Sequence, residues 1–219
     1  MSGARSTHPV RGHRGPVAGH GAETAAAVAE VVDLVRRVRV PGALNIYDEA
    51  DCLAWGDEPG EADRRAQALR DHLAARWAAP TVLVGEAPGR NGARRTGVPF
   101  TSPRQLWGSG PAEATATTVR RVLLELGNED SVLLWNASML FPPGNRDPRP
   151  TEVEACAPAL ALVCRGRRVL AIGRFAQAAT GAPYIRHPSH GGAACFSQGL
   201  RSALGPDACR PAADRTLRP

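Results

Sequence analysis

Two N-terminal stretches carry apolar residues at helical spacing. Ala25, Val28, Val31, Val32, Val35 and Val38 fall on one face of a helix expected from a Thr24 cap to about Arg39, ended by Pro41-Gly42. A second helix, about 61–79, aligns Ala62, Ala66, Leu69, Leu73 and Trp77, with an irregular loop bearing Tyr47 and Trp55 between the two. From residue 81 the pattern changes to short apolar runs alternating with helices. Strands are expected at 81–85, 131–136, 168–172 and 184–186, with helices at about 114–126, from 151 to about Cys164, after Gly173, and at 193–203. Thr151 and Glu154 have capping-box spacing, and Pro158 should kink or shorten the helix they open. Four strands alternating with helices imply an α/β fold: three α/β/α layers around a central four-stranded parallel sheet.

The ends of the chain break this pattern. Residues 1–21, which include His8, His13 and His20, are polar and aperiodic and read as a disordered tail. Residues 22–205 read as one domain and 206–219 as a flexible C-terminal tail. No apolar segment has the length of a membrane span or the character of a signal peptide. A cytoplasmic protein without membrane contact is therefore expected, and a monomer. The net charge is +6 and every basic side chain is arginine, since the chain contains no lysine. Guanidinium forks match phosphate oxygens, so a polyanion is a plausible partner. Cys52, Cys156, Cys164, Cys195 and Cys209 form no C-x-x-C pair. No metal site, cofactor or disulfide framework is expected, and the thiols read as small buried hydrophobes.

Chemistry concentrates where the strands end. The strand Thr81–Val84 runs into Gly85-Glu86-Ala87-Pro88-Gly89, then a basic loop with Arg90, Arg94 and Arg95 that closes on Pro99-Phe100-Thr101. Asn136 ends the second strand and His187 follows the fourth. In a parallel sheet these C-terminal ends share one edge, so the groups can meet in one crevice. A carboxamide offers an acceptor beside a donor, which suits the N3–H and O4 edge of uracil. Phe100 offers a stacking face. His187 and turn amides can donate to an oxygen that gains charge as a bond breaks, and the arginines can hold phosphates. Together these groups could read a flipped pyrimidine and expel it from its sugar.

Gly85-Glu86-Ala87-Pro88-Gly89, Thr96-Gly97-Val98-Pro99-Phe100-Thr101, Asn136 and His187-Pro188-Ser189 together resemble the uracil-DNA glycosylase superfamily over roughly residues 81–200. The resemblance implies a base-excision repair enzyme that flips uracil, or another deaminated base, out of DNA and hydrolyses its N-glycosidic bond. It places the enzyme in the bacterial cytoplasm and nucleoid. It assigns base stacking to Phe100, edge reading to Asn136, and support of the leaving anion to His187. Gly85, Ala87 and Gly89 shape the pocket, while Ser189 and His190 approach DNA beside Arg90, Arg94 and Arg95. One branch has an Asp where this chain has Ala87, and a methyl-excluding Tyr where it has Gly89. The iron–sulfur branch has an acid at the position of Gly92 and four cysteine ligands that are absent here. Loop spacing matches the broad-specificity branch better. Gly89 suggests a wider pocket that admits hypoxanthine or xanthine. Glu86 is the only acid before residue 113 in this loop, and is expected either to orient water or to brace the turn through backbone N–H groups.

Rival readings fare worse. A phosphate-binding P-loop needs a lysine. Ser189 and His190 lack a nucleophile elbow. A nucleosidase would not need the arginine-rich mouth. A glycosylase-like module that binds damaged DNA without cutting it remains the alternative.

Overall fold

The computed structural model describes residues 18–205. The expectations for residues 1–17 and 206–219, including those for His8, His13 and Cys209, lie outside the described residues.

Four strands form one parallel sheet: β1 (Thr81–Gly85), β2 (Val132–Asn136), β3 (Arg168–Ile172) and β4 (Tyr184–Ile185). Their order is β2-β1-β3-β4, so β1 lies inside the sheet with β2 and β3 as neighbours. Gly85 pairs with Asn136 across β1 and β2, and Ile172 pairs with Ile185 across β3 and β4. The ladder continues past the strand ends: Ala137 and Ser138 N–H groups donate to the carbonyls of Gly85 and Glu86 at 2.8 and 2.9 Å.

Side chains alternate between the two faces of the sheet. Val82, Val84, Leu133, Trp135 and Ala171 pack with α1 (Ala18–Arg37), α3 (Glu61–Arg76), α7 (Pro150–Cys164) and α8 (Arg174–Thr180). Leu83, Val132, Leu170, Ile172 and Ile185 pack with α6 (Ala114–Glu125) and α9 (Ala193–Leu204). Strands buried on both faces read as continuous apolar runs, as these do. Each such Val or Leu contributes roughly 1.5–3 kcal/mol by leaving water.

The expected elements are present, with local corrections. α1 is already helical at Ala18, ahead of the expected Thr24 cap and within the stretch to residue 21 expected to be a disordered tail. The loop between α1 and α3 contains α2 (Glu49–Ala54), which Asp48 caps by accepting the Asp51 N–H. Six residues are too few to show a helical period, as are the four of α4 (Ala93–Thr96) and the five of α5 (Pro103–Trp107) between β1 and α6. α7 starts at Pro150, one residue ahead of Thr151, and Glu152 rather than Glu154 closes its first turn by accepting the Arg149 N–H at 3.0 Å. The helix runs through Pro158 to Cys164, its apolar face held on the core. Cys52 and Cys156 are buried as expected, but Cys195 is exposed. Trp77 packs beside the core, with the Arg167 guanidinium 4.7 Å from its ring centre. No helix among the described residues is long and apolar enough to cross a membrane.

Candidate active site

The turn after β1 is shaped by close contacts with its neighbours. A Cβ at residue 85 would stand 2.5 Å from Cζ of Phe100 and 2.7 Å from Oδ1 of Asn136. Only glycine lets the ring and the carboxamide approach the strand end this closely. Phe100 is held in a left-handed conformation, φ 56°, which is costly for an aromatic residue and persists only where surrounding contacts fix it. The flanking threonines supply some of them. Thr101 Oγ1 donates to the Val98 carbonyl at 2.7 Å and meets Thr96 Oγ1 at 2.8 Å. The buried Tyr47 hydroxyl donates to the Gly97 carbonyl at 2.7 Å, which ties the loop to the core. Tyr47 appeared in the sequence only as a loop residue.

A cavity of about 250 Å³ lies at this edge, lined by Glu86, Ala87, Gly89, Phe100, Asn136 and His187 among others. Asn136 is 3% exposed and its Nδ2 has no hydrogen-bond partner among the described residues. An orphaned buried amide costs about 1–3 kcal/mol, so this one is positioned for a ligand atom rather than for stability. The Ser189 backbone N–H donates to His187 Nδ1 at 3.2 Å, and the Ser189 hydroxyl lies 2.7 Å from the same nitrogen. With Nδ1 accepting, the neutral ring carries its proton on Nε2. Burial, and then the nearby His190 and Arg186, push the His187 pKa below its usual value. The neutral imidazole is therefore the dominant form at pH 7, and it still presents a donor. A larger cavity of about 460 Å³ shares Phe100 but lacks both Asn136 and His187. The convergent polar groups mark the smaller one as the candidate site.

Three carboxylates line that cavity: Glu86, Glu113 and Asp147. Glu86 makes no side-chain hydrogen bond among the described residues, so it does not brace the turn; its carboxylate lies against Gly173 at the end of β3. Burial, with Asp147 nearby, raises its pKa. Glu113 was absent from the sequence-based site. Its side chain does not cap α6 but folds over the glycine turn. A Cβ at Gly89 would lie 2.7 Å from its Oε1, and a Cβ at Gly92 would fall on its Oε2. Burial raises its pKa to about 7. The space that Gly89 was expected to leave open is therefore filled. The signal in sequence was indirect: two glycines three positions apart leave room, but nothing local names the occupant.

The arginines divide. Arg94 is 12% exposed in its side chain and pairs with Asp57 at 2.9 Å, as the buried Arg65 does at 2.8 Å. Burial opposes ionisation of Asp57, but hydrogen bonds from Arg65 and Arg94 outweigh it and hold the carboxyl below its usual range. Arg90 and Arg95 are exposed. With Arg94 they line a neighbouring cavity, not the one with Asn136. The Arg90 N–H donates to Asn145 Oδ1 at 3.0 Å, joining the two loops at the rim. Ser189 and His190 line the Asn136 cavity; His190 is exposed, at φ 50°. Among the described residues no group of three or more His, Cys, Asp or Glu could hold a metal ion.

The fold and cavity define an α/β protein with a polar crevice at the C-terminal edge of a parallel sheet. The family model for the uracil DNA glycosylase superfamily matches residues 74–200, and the chain belongs to that superfamily of DNA glycosylases. SMUG2 from Pedobacter heparinus shares the fold, with a TM-score of 0.56 at 13% identity over 81% of this chain and 96% of that one. UNG from Nitratifractor salsuginis gives 0.42 at 16% identity over 82% and 96%, and a tyrosine-to-glycine mutant of that UNG gives 0.43 at 17% over 82% and 97%. No curated protein matches the sequence.

Proposed function

We propose that this protein is a monofunctional uracil-DNA glycosylase, acting as a monomer on cytoplasmic DNA. The nucleotide leaves the duplex and its base enters the cavity, stacked on Phe100. Asn136 takes the N3–H and O4 edge, and His187 Nε2–H donates toward O2. The C1′–N1 bond breaks, its electron pair leaves with uracil, and the sugar becomes oxocarbenium-like. Water adds to C1′ and loses a proton, leaving an abasic sugar and uracil. A neutral His187 donates to the developing anion without adding a full charge to the ground state. Glu86, with no side-chain partner among the described residues and at the sheet edge, is the group assigned to orient water.

One observation carries this reading. Phe100 and Asn136 both close on Gly85, and His187 lines the same cavity. The alternative of binding without cutting drew on the absence of acids in the loop; three carboxylates on the cavity favour hydrolysis instead.

The test uses labelled oligonucleotides containing uracil, single- and double-stranded, with alkaline cleavage of abasic sites. Strand scission is expected, slowed by Glu86→Gln. Retarded mobility without scission would overturn the proposal in favour of the binding module.

A further inference from the structure

Asn136 and His187 account for the polar edge of a bound pyrimidine, on the reading above. The C5–C6 edge remains. It carries no hydrogen-bonding group, so only the shape and polarity of the facing wall can select at it. On the cavity wall formed by the Gly89–Ala93 turn, the side chain that fills the space over the glycines is Glu113. It reaches there from a distant point in the chain, at the start of α6. Gly89 and Gly92 lack the Cβ atoms that would collide with its carboxylate. The Gly92 Cβ position is also 2.8 Å from the Thr101 carbonyl, so Glu113 is wedged beside the residue that follows Phe100.

We infer that Glu113 is the specificity-determining wall of the cavity: its side chain occupies the space that a 5-methyl group or a purine ring would need. A methyl pressed there would have to displace a carboxylate that is hemmed in by the glycine turn. It would also strip water from a group that has no hydrogen-bond partner among the described residues. Rejecting the wrong base through steric conflict and desolvation is how a site excludes a ligand that differs by one carbon. The inference rests on the base orientation in the proposed function and restricts its substrate: this enzyme takes uracil and rejects thymine and hypoxanthine, despite the glycine at position 89.

The experiment separates recognition from turnover. Oligonucleotides carrying 2′-fluoro-2′-deoxyuridine, or the same nucleotide with a 5-methyl group, resist glycosidic cleavage. Their dissociation constants are measured with the wild-type chain, Glu113→Ala and Glu113→Gln. The wild type should prefer the unmethylated base. Glu113→Ala should shrink that preference about tenfold or more, the scale of one methyl in a shaped pocket. Glu113→Gln, of equal size, should keep most of it. Thermal unfolding of each variant checks that the fold is intact. If Glu113→Ala discriminates as the wild type does, or if Glu113→Gln loses as much as Glu113→Ala, the inference is wrong. Cleavage of ordinary uracil oligonucleotides by the wild type is scored separately. Its absence would overturn the proposed reaction while the binding ratios still decide the role of Glu113.

Discussion

Two kinds of support meet at the cavity. Gly85 and Asn136 pair at the ends of β1 and β2 in the parallel ladder, and His187 follows the end of β4 by two residues. Glu113, Asn145 and Asp147 come from connections, placed by contacts that no secondary-structure period encodes. In the proposed reaction the sheet-borne groups carry the polar recognition and the electrostatics of bond breaking. The loop-borne groups shape the wall and the rim. An enzyme built this way should lose rate when the first set is touched and selectivity when the second is.

The largest loss should come from His187→Ala. Removing one donor to a developing oxyanion costs about 10²–10³ in rate, and single-turnover release of uracil measures it. The protonation state sharpens the prediction. Because the His187 pKa is depressed, raising pH through 6.5 does not remove its Nε2 proton; it only ensures that the ring is neutral. The ratio of wild-type to His187→Ala rates should therefore stay level from about pH 6.5 upward. A ratio that collapses as pH rises would mean that the imidazolium is the donor.

Gly85→Ala comes next. It alters no reacting group, yet its methyl must push the Phe100 ring and the Asn136 carboxamide apart. Displacements of about 1 Å can cost ~10² in rate, and that loss should appear without a comparable drop in unfolding temperature. Full activity in this variant would show that the two side chains need not sit against the strand end.

The same division explains what could be read from the sequence. The alternation of apolar runs and helices gave the four parallel strands, and the shared edge of their C-terminal ends brought Gly85, Asn136 and His187 together. Phe100 was legible because a single ring stood among small residues at the end of the glycine loop. Glu113 was not, because its partners Gly89 and Gly92 mark only a space. α2 was too short to show a period, and the cap of α7 sits at Arg149, two residues ahead of Thr151, because Pro150 is suited to the first helical position. Arginine composition suggested one phosphate-binding set. It could not show that Asp57, more than thirty residues earlier, would already hold Arg94.

That last distinction supports the smallest prediction, which separates two arginines four residues apart. Arg94 pairs with Asp57 in a part-buried cluster and lies 5.8 Å from the Phe141 ring centre, so its charge serves the fold. Arg94→Ala should lower stability by about 1–2 kcal/mol, seen as a lower denaturation midpoint, because Asp57 loses one of its two guanidinium partners. Arg90 is exposed beside the glycine turn, its side chain hydrogen-bonded to nothing among the described residues. Arg90→Ala should leave stability unchanged and reduce the slope of log affinity against log salt by about 1, the mark of one lost phosphate contact. Both substitutions remove one positive charge, so overall charge cannot account for a difference between them. If both variants change the salt slope equally and neither changes stability, then Asp57 does not hold Arg94 in solution. The basic loop would then act as a single phosphate-binding surface, with no split between scaffold and rim.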